Sequence, residues 1–264
     1  MTSHRYVFVG GLHRSGTSLV ARLIGELPGV SAINQAPVPE NEGVYLQGAI
    51  PHTAQHGIPM HFATDPAQHH IEGSHFDSLE TQTRLDRSWA PYFKEAPWRV
   101  EKSPVNLTRM RLYQQLFPLS QFVVVIRHPE AVAAATSKWV AMDHGAMMDH
   151  WLDAHDIVWR DLDYLHAVIT VRYEDLVANP EATLARLAAF LDVDPVATPS
   201  DIRDGNQEYV DTTALSVSQA KRASVWGYGA GLRVQTFRDV ARHPLRRITE
   251  KIEAASRHQI GRSA

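Results

Sequence analysis

The chain of 264 residues contains no cysteine, which excludes a disulfide framework and thiol chemistry. No apolar run approaches the roughly 20 residues needed to cross a bilayer. The N-terminal stretch MTSHRYVFVGG holds too short an apolar segment for a secretory signal. An excess of positive charge is also missing. The formal net charge is -3, whereas a general nucleic-acid binder is clearly basic. No linker or internal repeat breaks the pattern. What these absences leave is the expectation of a soluble, cytoplasmic globular protein, and 44% hydrophobic residues suffice for a substantial core.

What is present is an alternation. Short runs apolar on both faces (Tyr6 to Val9, Val30 to Ile33, Trp98 to Val100, Gln121 to Ile126 and Ala167 to Val171) read as strands. Between and after them, helical spacing covers Thr17 to Leu27, Asp77 to Ala90, Asn106 to Leu116, Ala131 to Val140, Met147 to Leu165 and Pro180 to Leu191. Strands without a polar face, separated by helices, predict a three-layer α/β domain with a central parallel sheet. We expect one domain over residues 1–264, with its core at about 5–192. The remainder, 193–264, reads as a turn-rich loop followed by an Arg-rich helix from about Val234 to Arg257.

In such a sheet ligands bind beyond the carboxyl ends of the strands. The first strand-turn-helix unit, FVGGLHRSGTSLVARLIG, fits the triphosphate pattern G-x-x-x-x-G-K-[ST] at Gly11, Gly16 and Ser18. Thr17 stands where that pattern has lysine, and the cation of the turn is Arg14. Glycines that allow close backbone approach, a helix N-terminus, two hydroxyls and a guanidinium together suit an anion. The strand end that would carry a magnesium-binding Asp carries Arg127 instead, in VVVIRHPEAVAAATSKW. A third strand end, EKSPVNLTRM, offers Lys102 to the same crevice.

Taken in order, these segments resemble the sulfotransferases that use 3′-phosphoadenosine-5′-phosphosulfate. LHRSGTS is similar to the family's 5′-phosphosulfate loop, RHPEAVAAATS to its 3′-phosphate motif, EKSPVNL to the E-K-[ST]-P segment of glycan sulfotransferases, and VRYEDLVANPEATLARLAAFL to a helix pair of bacterial members. The resemblance spans roughly residues 5 to 192. It implies a P-loop NTPase-like sulfotransferase fold, with Arg14, Ser15, Gly16, Thr17 and Ser18 on the 5′-phosphosulfate and Arg127 on the 3′-phosphate. Two departures stand out. The family's 3′-phosphate serine lies eight residues after the arginine, where this chain has Ala135, so Thr136 or Ser137 must substitute. Arg14 replaces the loop lysine of many members, which makes Lys102 the alternative cation for the charge that develops on the departing phosphate.

The implied reaction is in-line transfer of the sulfuryl group to a hydroxyl or amine, with adenosine 3′,5′-bisphosphate as product and no metal. The acceptor stays open between a glycan, a tyrosyl group, a lipid and a natural-product hydroxyl. A base is needed, and PVPENEGVYLQG supplies Glu42, in a spacing similar to the K-E-x-x-F segment of glycan sulfotransferases, with Glu40 second. Histidine is the rival base. His52, His56, His61, His69, His70 and His75 crowd one stretch that reads as a lid rather than a zinc site, shaping the acceptor pocket with Trp89, Tyr92 and Phe93. Trp139 and Trp151 read as core. Late in the chain, Lys221 and Arg222 fall in a basic loop that the resemblance places over the nucleotide. The Arg-rich segment Arg238 to Arg262 reads as a solvated helix face, with an acidic acceptor or partner as its alternative. Two other functions remain open. A P-loop small-molecule kinase requires Mg²⁺-dependent ATP binding, and a non-catalytic nucleotide-binding module would tolerate loss of Glu40, Glu42 and Lys102.

Overall fold

The computed structural model describes residues 4–52, 60–209, 212–237 and 239–260. Its main sheet is built from β1 (Arg5–Gly10), β2 (Val30–Ala32), β3 (Trp98–Lys102), β4 (Gln121–Ile126) and β5 (Val168–Arg172). These strands are parallel, in the order β2-β3-β1-β4-β5. Alternate residues serve opposite faces. Tyr6, Phe8, Phe122, Val124 and Ile126 enter one core; Val7, Val9, Val123, Val125 and Ile169 enter the other. Burial on both sides explains the near-continuous apolar runs of β1 and β4.

Helices α1 (Thr17–Gly25), α2 (Leu79–Trp89), α3 (Met110–Leu116), α4 (Pro129–Thr136), α5 (His144–Leu162), α6 (Tyr173–Ala178) and α7 (Pro180–Leu191) follow in chain order. Pro129 and Pro180 sit at the first helical position, where a missing N–H costs nothing. Asp143 and Asn179 cap α5 and α7 through the N–H groups of Ala146 and Ala182. After β1 the chain turns to one side of the sheet for β2 and β3, then crosses to the other for β4. The carboxyl ends of β1 and β4 therefore flank a topological switch point.

The C-terminal part departs from the expected turn-rich loop followed by one helix. It forms α8 (Val217–Ala223), a small antiparallel pair β6 (Tyr228–Gly229) and β7 (Arg233–Val234), strand β8 (Ala241–Arg242) and α9 (Arg246–Ile260). β8 joins the main sheet antiparallel to β5, pairing Ile169 with Ala241, so the six-stranded sheet is mixed rather than wholly parallel. Pro244 lies between β8 and α9, and the residue before a proline is steered away from helical geometry. Arg246 is exposed and pairs with Glu250 on its own helix, the half-exposed Arg247 and Lys251 pair with Asp192, and Arg242 donates to the Leu162 carbonyl. Arg238 and Arg262 lie outside the described residues. Among the described residues no helix is long and apolar enough to cross a membrane.

Candidate functional site

The turn after β1 is shaped by contacts that admit no side chain. A Cβ on Gly11 would stand 2.5 Å from the Val125 carbonyl oxygen, and one on Gly16 would stand 2.8 Å from the Tyr173 ring. Gly16 also has φ +97, a conformation that other residues adopt at a cost. It begins α1, and no side chain caps that helix, so its first-turn N–H groups are left for another acceptor. Arg14 is itself left-handed at φ 67. Ser15 is fully buried and its Oγ has no partner among the described residues, Thr17 is buried, and the exposed Ser18 hydroxyl donates to Glu40 Oε2 at 3.3 Å.

Arg127 leaves the end of β4 beside this turn. Its Nη1 donates to the Arg14 carbonyl at 2.9 Å and its Nε to Asn206 Oδ1 at 2.7 Å. Its guanidinium carbon lies 4.4 Å from the centre of the Tyr173 ring. The remaining nitrogen, Nη2, is buried and has no partner among the described residues. Tyr173 thus touches both Gly16 and Arg127. Its hydroxyl donates to the Arg203 carbonyl and accepts the Gly205 N–H, which fixes the ring from behind.

On the other side of β1, Lys102 is the last residue of β3. Its Nζ donates to Glu42 Oε1 at 3.0 Å, with side-chain exposures of 7% and 9%. Glu42 is held there by its neighbours. Buried Glu101 accepts the Gly43 N–H, Ser103 Oγ accepts the Val44 N–H, and Trp89 Nε1 donates to the Gly43 carbonyl. Glu101 also accepts from Ser103 Oγ at 2.6 Å and from Asn106 Nδ2 at 2.6 Å. The Glu-Lys-Ser-Pro segment therefore grips the loop that carries Glu42. Burial pushes the Glu42 carboxyl above its ordinary pKa; Lys102 opposes that shift and Glu40 adds to it. Beside the pair stands His13, whose pKa falls to about 4 through burial and the Lys102 charge.

His13, Arg14, Thr17, Glu42, Arg127 and Trp139 line a cavity of about 360 Å³. A larger groove of about 1030 Å³ adjoins it, sharing Ser18 and Glu40, reaching Lys102, and running along β2 past Tyr92 and Phe93. A more apolar cavity of about 470 Å³ lies at the opposite end of β1, against His4, Asp86 and Phe117, away from all three strand-end motifs.

Sequence reasoning and structure part at several residues. Thr136 is fully buried and its hydroxyl donates to the Val132 carbonyl, while Ser137 donates to the Ala134 carbonyl. Both hydroxyls are spent within α4, as serine and threonine in helices commonly are. Arg222 pairs with Asp153 and Asp156 on α5, and Lys221 is exposed beside it on α8. The structure does not bring these four to the cavity. Trp139 is 47% exposed at the cavity rim, 5.5 Å from the Arg14 guanidinium, whereas Trp151 is core as expected. Trp89 is core rather than pocket wall. In the histidine tract, His52 packs on Tyr45, His69 pairs with Asp161 at 2.6 Å and His70 packs on Phe76. His56 lies outside the described residues. The cavity instead holds His13, which reasoning from sequence passed over, along with the Tyr173 and Asn206 contacts to Arg127.

Residues 6–197 match the model of the sulfotransferase family, and the chain belongs to that family. Among solved structures it is similar to the sulfotransferase STF9 of Mycobacterium avium, at 12% identity and a TM-score of 0.50, covering 99% of this chain and 77% of that one. It is also similar to the sulfotransferase domain of the Synechococcus PCC 7002 olefin synthase, at 19% identity and a TM-score of 0.46, covering 85% and 94%. A further similar structure is mouse sulfotransferase SULT7A1 complexed with PAP, at 12% identity and a TM-score of 0.43, covering 74% and 60%. No curated protein matches the chain in sequence.

Proposed function

We propose that this sulfotransferase moves the sulfuryl group of 3′-phosphoadenosine-5′-phosphosulfate to an acceptor hydroxyl or amine by in-line displacement. The observation that carries the reading is the buried Lys102–Glu42 pair, a cation and a carboxylate held together where Glu42 lines the strand-end cavity and Lys102 the adjoining groove. The donor's two charged ends fit the groups left without partners. The uncapped start of α1, with Gly16, Thr17 and Ser18, lines the cavity beside one end, and Arg127, whose Nη2 has no partner among the described residues, lines it beside the other.

In this assignment Arg14, Ser15, Gly16, Thr17 and Ser18 hold the 5′-phosphosulfate and Arg127 holds the 3′-phosphate. Lys102 follows the negative charge onto the bridging oxygen as the sulfur–oxygen bond breaks. Each shift of Lys102 away from Glu42 removes the cation that lowers its pKa, so Glu42 becomes a stronger base as the acceptor proton must leave. Glu40, exposed at the rim, raises Glu42's pKa further rather than taking the proton itself. This assignment leaves out Thr136, Ser137, Lys221 and Arg222, which do not line the cavity.

Thermal-shift titration with adenosine 3′,5′-bisphosphate and, separately, with Mg-ATP tests the assignment. A ligand of the native state at about 100 times its Kd adds about 2.7 kcal/mol of stability. Stabilisation by the bisphosphate without Mg²⁺ is expected. Stabilisation by Mg-ATP alone would replace this reading with a small-molecule kinase.

A further inference from the structure

Glu174, within the R-Y-E-D-L segment, is buried at the start of α6 and touches no wall of the cavity. Its three hydrogen bonds all run toward elements around Arg127. Oε1 accepts the His128 N–H at 2.9 Å and Asn206 Nδ2 at 2.9 Å, and Oε2 accepts the Tyr228 hydroxyl at 3.0 Å. The other end of the same Asn206 amide, Oδ1, accepts Arg127 Nε at 2.7 Å. A continuous line therefore joins a buried carboxylate to the arginine through one neutral amide. Tyr228 stays a donor in this arrangement, because burial and the Glu174 charge push its pKa well above the ordinary value.

The amide matters electrostatically. A carboxylate placed directly on Arg127 would neutralise the guanidinium and compete with any anion for its N–H groups. With Asn206 between them, Glu174 orients the arginine and polarises the amide, while Arg127 lines the cavity and its Nη2 keeps no partner among the described residues. We infer that Glu174 is a positioning residue for the nucleotide's 3′-phosphate, acting through Asn206 on the Arg127 guanidinium. This rests on the assignment of Arg127 to that phosphate.

The test compares two probes that differ only by the 3′-phosphate, adenosine 3′,5′-bisphosphate and adenosine 5′-monophosphate, by calorimetric titration and competition. Glu174→Ala is expected to weaken the bisphosphate by about tenfold, the scale of one charge-assisted hydrogen bond, and the monophosphate by less than about twofold. Glu174→Gln keeps an acceptor oxygen and should restore most of the loss. Asn206→Ala, at a half-exposed position, removes the same link without opening the core and should reproduce the effect. The double variant should be no worse than the stronger single one, because both act on one chain of contacts. An unchanged ratio between the two probes in Asn206→Ala, or losses that simply add, would overturn the inference. A wild-type protein that does not prefer the bisphosphate at all would overturn the Arg127 assignment and this inference with it, an outcome distinct from a preference that the variants leave intact.

Discussion

Lys102 and Glu42, sixty residues apart in the chain, meet as an ion pair of 3.0 Å with less than a tenth of either side chain exposed. A pair so placed is costly to break from one side and much cheaper to remove whole. Lys102→Met alone should lower stability by about 3 kcal/mol, and the Lys102→Met/Glu42→Gln double variant should recover a large part of it. Urea denaturation of the three proteins reads this directly. In a transfer assay, Glu42→Gln should reduce turnover by at least about 100-fold, while affinity for adenosine 3′,5′-bisphosphate changes little. Near-wild-type turnover would remove Glu42 from the mechanism.

The two rim carboxylates can be separated by pH. Burial raises the Glu42 pKa above its ordinary value against the pull of Lys102, and Glu40 adds to that rise. Turnover should therefore fall as the pH drops through the raised Glu42 pKa. Glu40→Gln should move that acid limb to lower pH while leaving the plateau nearly intact. A Glu40→Gln profile that loses its plateau instead would make Glu40 the base.

Acid stability has a separate origin. His155 is fully buried, stacked on Trp151 at 3.7 Å, with Nδ1–H donating to the Trp151 carbonyl and Nε2 unpartnered. Burial takes its pKa from 6.5 to about 3. His13 and His70 are lowered to about 4. A group depressed in the folded state contributes stability that is present above its unfolded pKa and lost as the pH falls toward the folded one. Urea midpoints should thus decline from about pH 6.5 downward, and His155→Leu should show a shallower decline. An identical slope in that variant would count against the buried neutral histidine.

Gly16→Ala tests the turn. The methyl would meet the Tyr173 ring at 2.8 Å from a backbone held at φ +97. Left-handed geometry alone costs roughly 1–2 kcal/mol for a residue with a Cβ. Stability should fall by at least that much, and affinity for adenosine 3′,5′-bisphosphate should fall further as the ring is displaced from Arg127. Equal stability and affinity would mean that the turn adjusts freely.

The parts of this molecule legible in the sequence are those with a local signal. Gln121 to Ile126 and Pro180 to Leu191 have the bounds their periodicity predicts, and Thr17 begins α1 as the glycine turn requires. β8 is two residues long and leaves no periodic trace, so it merged with α9 into one imagined helix. Glu130 shows the limit. It suits the positive end of α4, as any acid there would, yet its carboxylate also accepts the N–H groups of Leu215, Gly231 and Leu232. Partners 85 or more residues away cannot be read from spacing. Trp139 and Trp151 both fall in runs of helical spacing, but α4 ends at Thr136 and leaves Trp139 beyond it at the rim, while Trp151 is buried on α5.

The late arrival of β8 bears on how the chain is made. On the ribosome, β5 emerges about seventy residues before Ala241. Until then its outer edge has no partner for the bond that Thr170 N–H later gives to the Val240 carbonyl. The flank of α7 that α9 will cover with Ile248 and Ile252 is bare for longer still. An open strand edge beside an apolar surface invites pairing with another chain. A product stalled or clipped before residue 241 would be prone to aggregate even though every strand-end motif had already been synthesised.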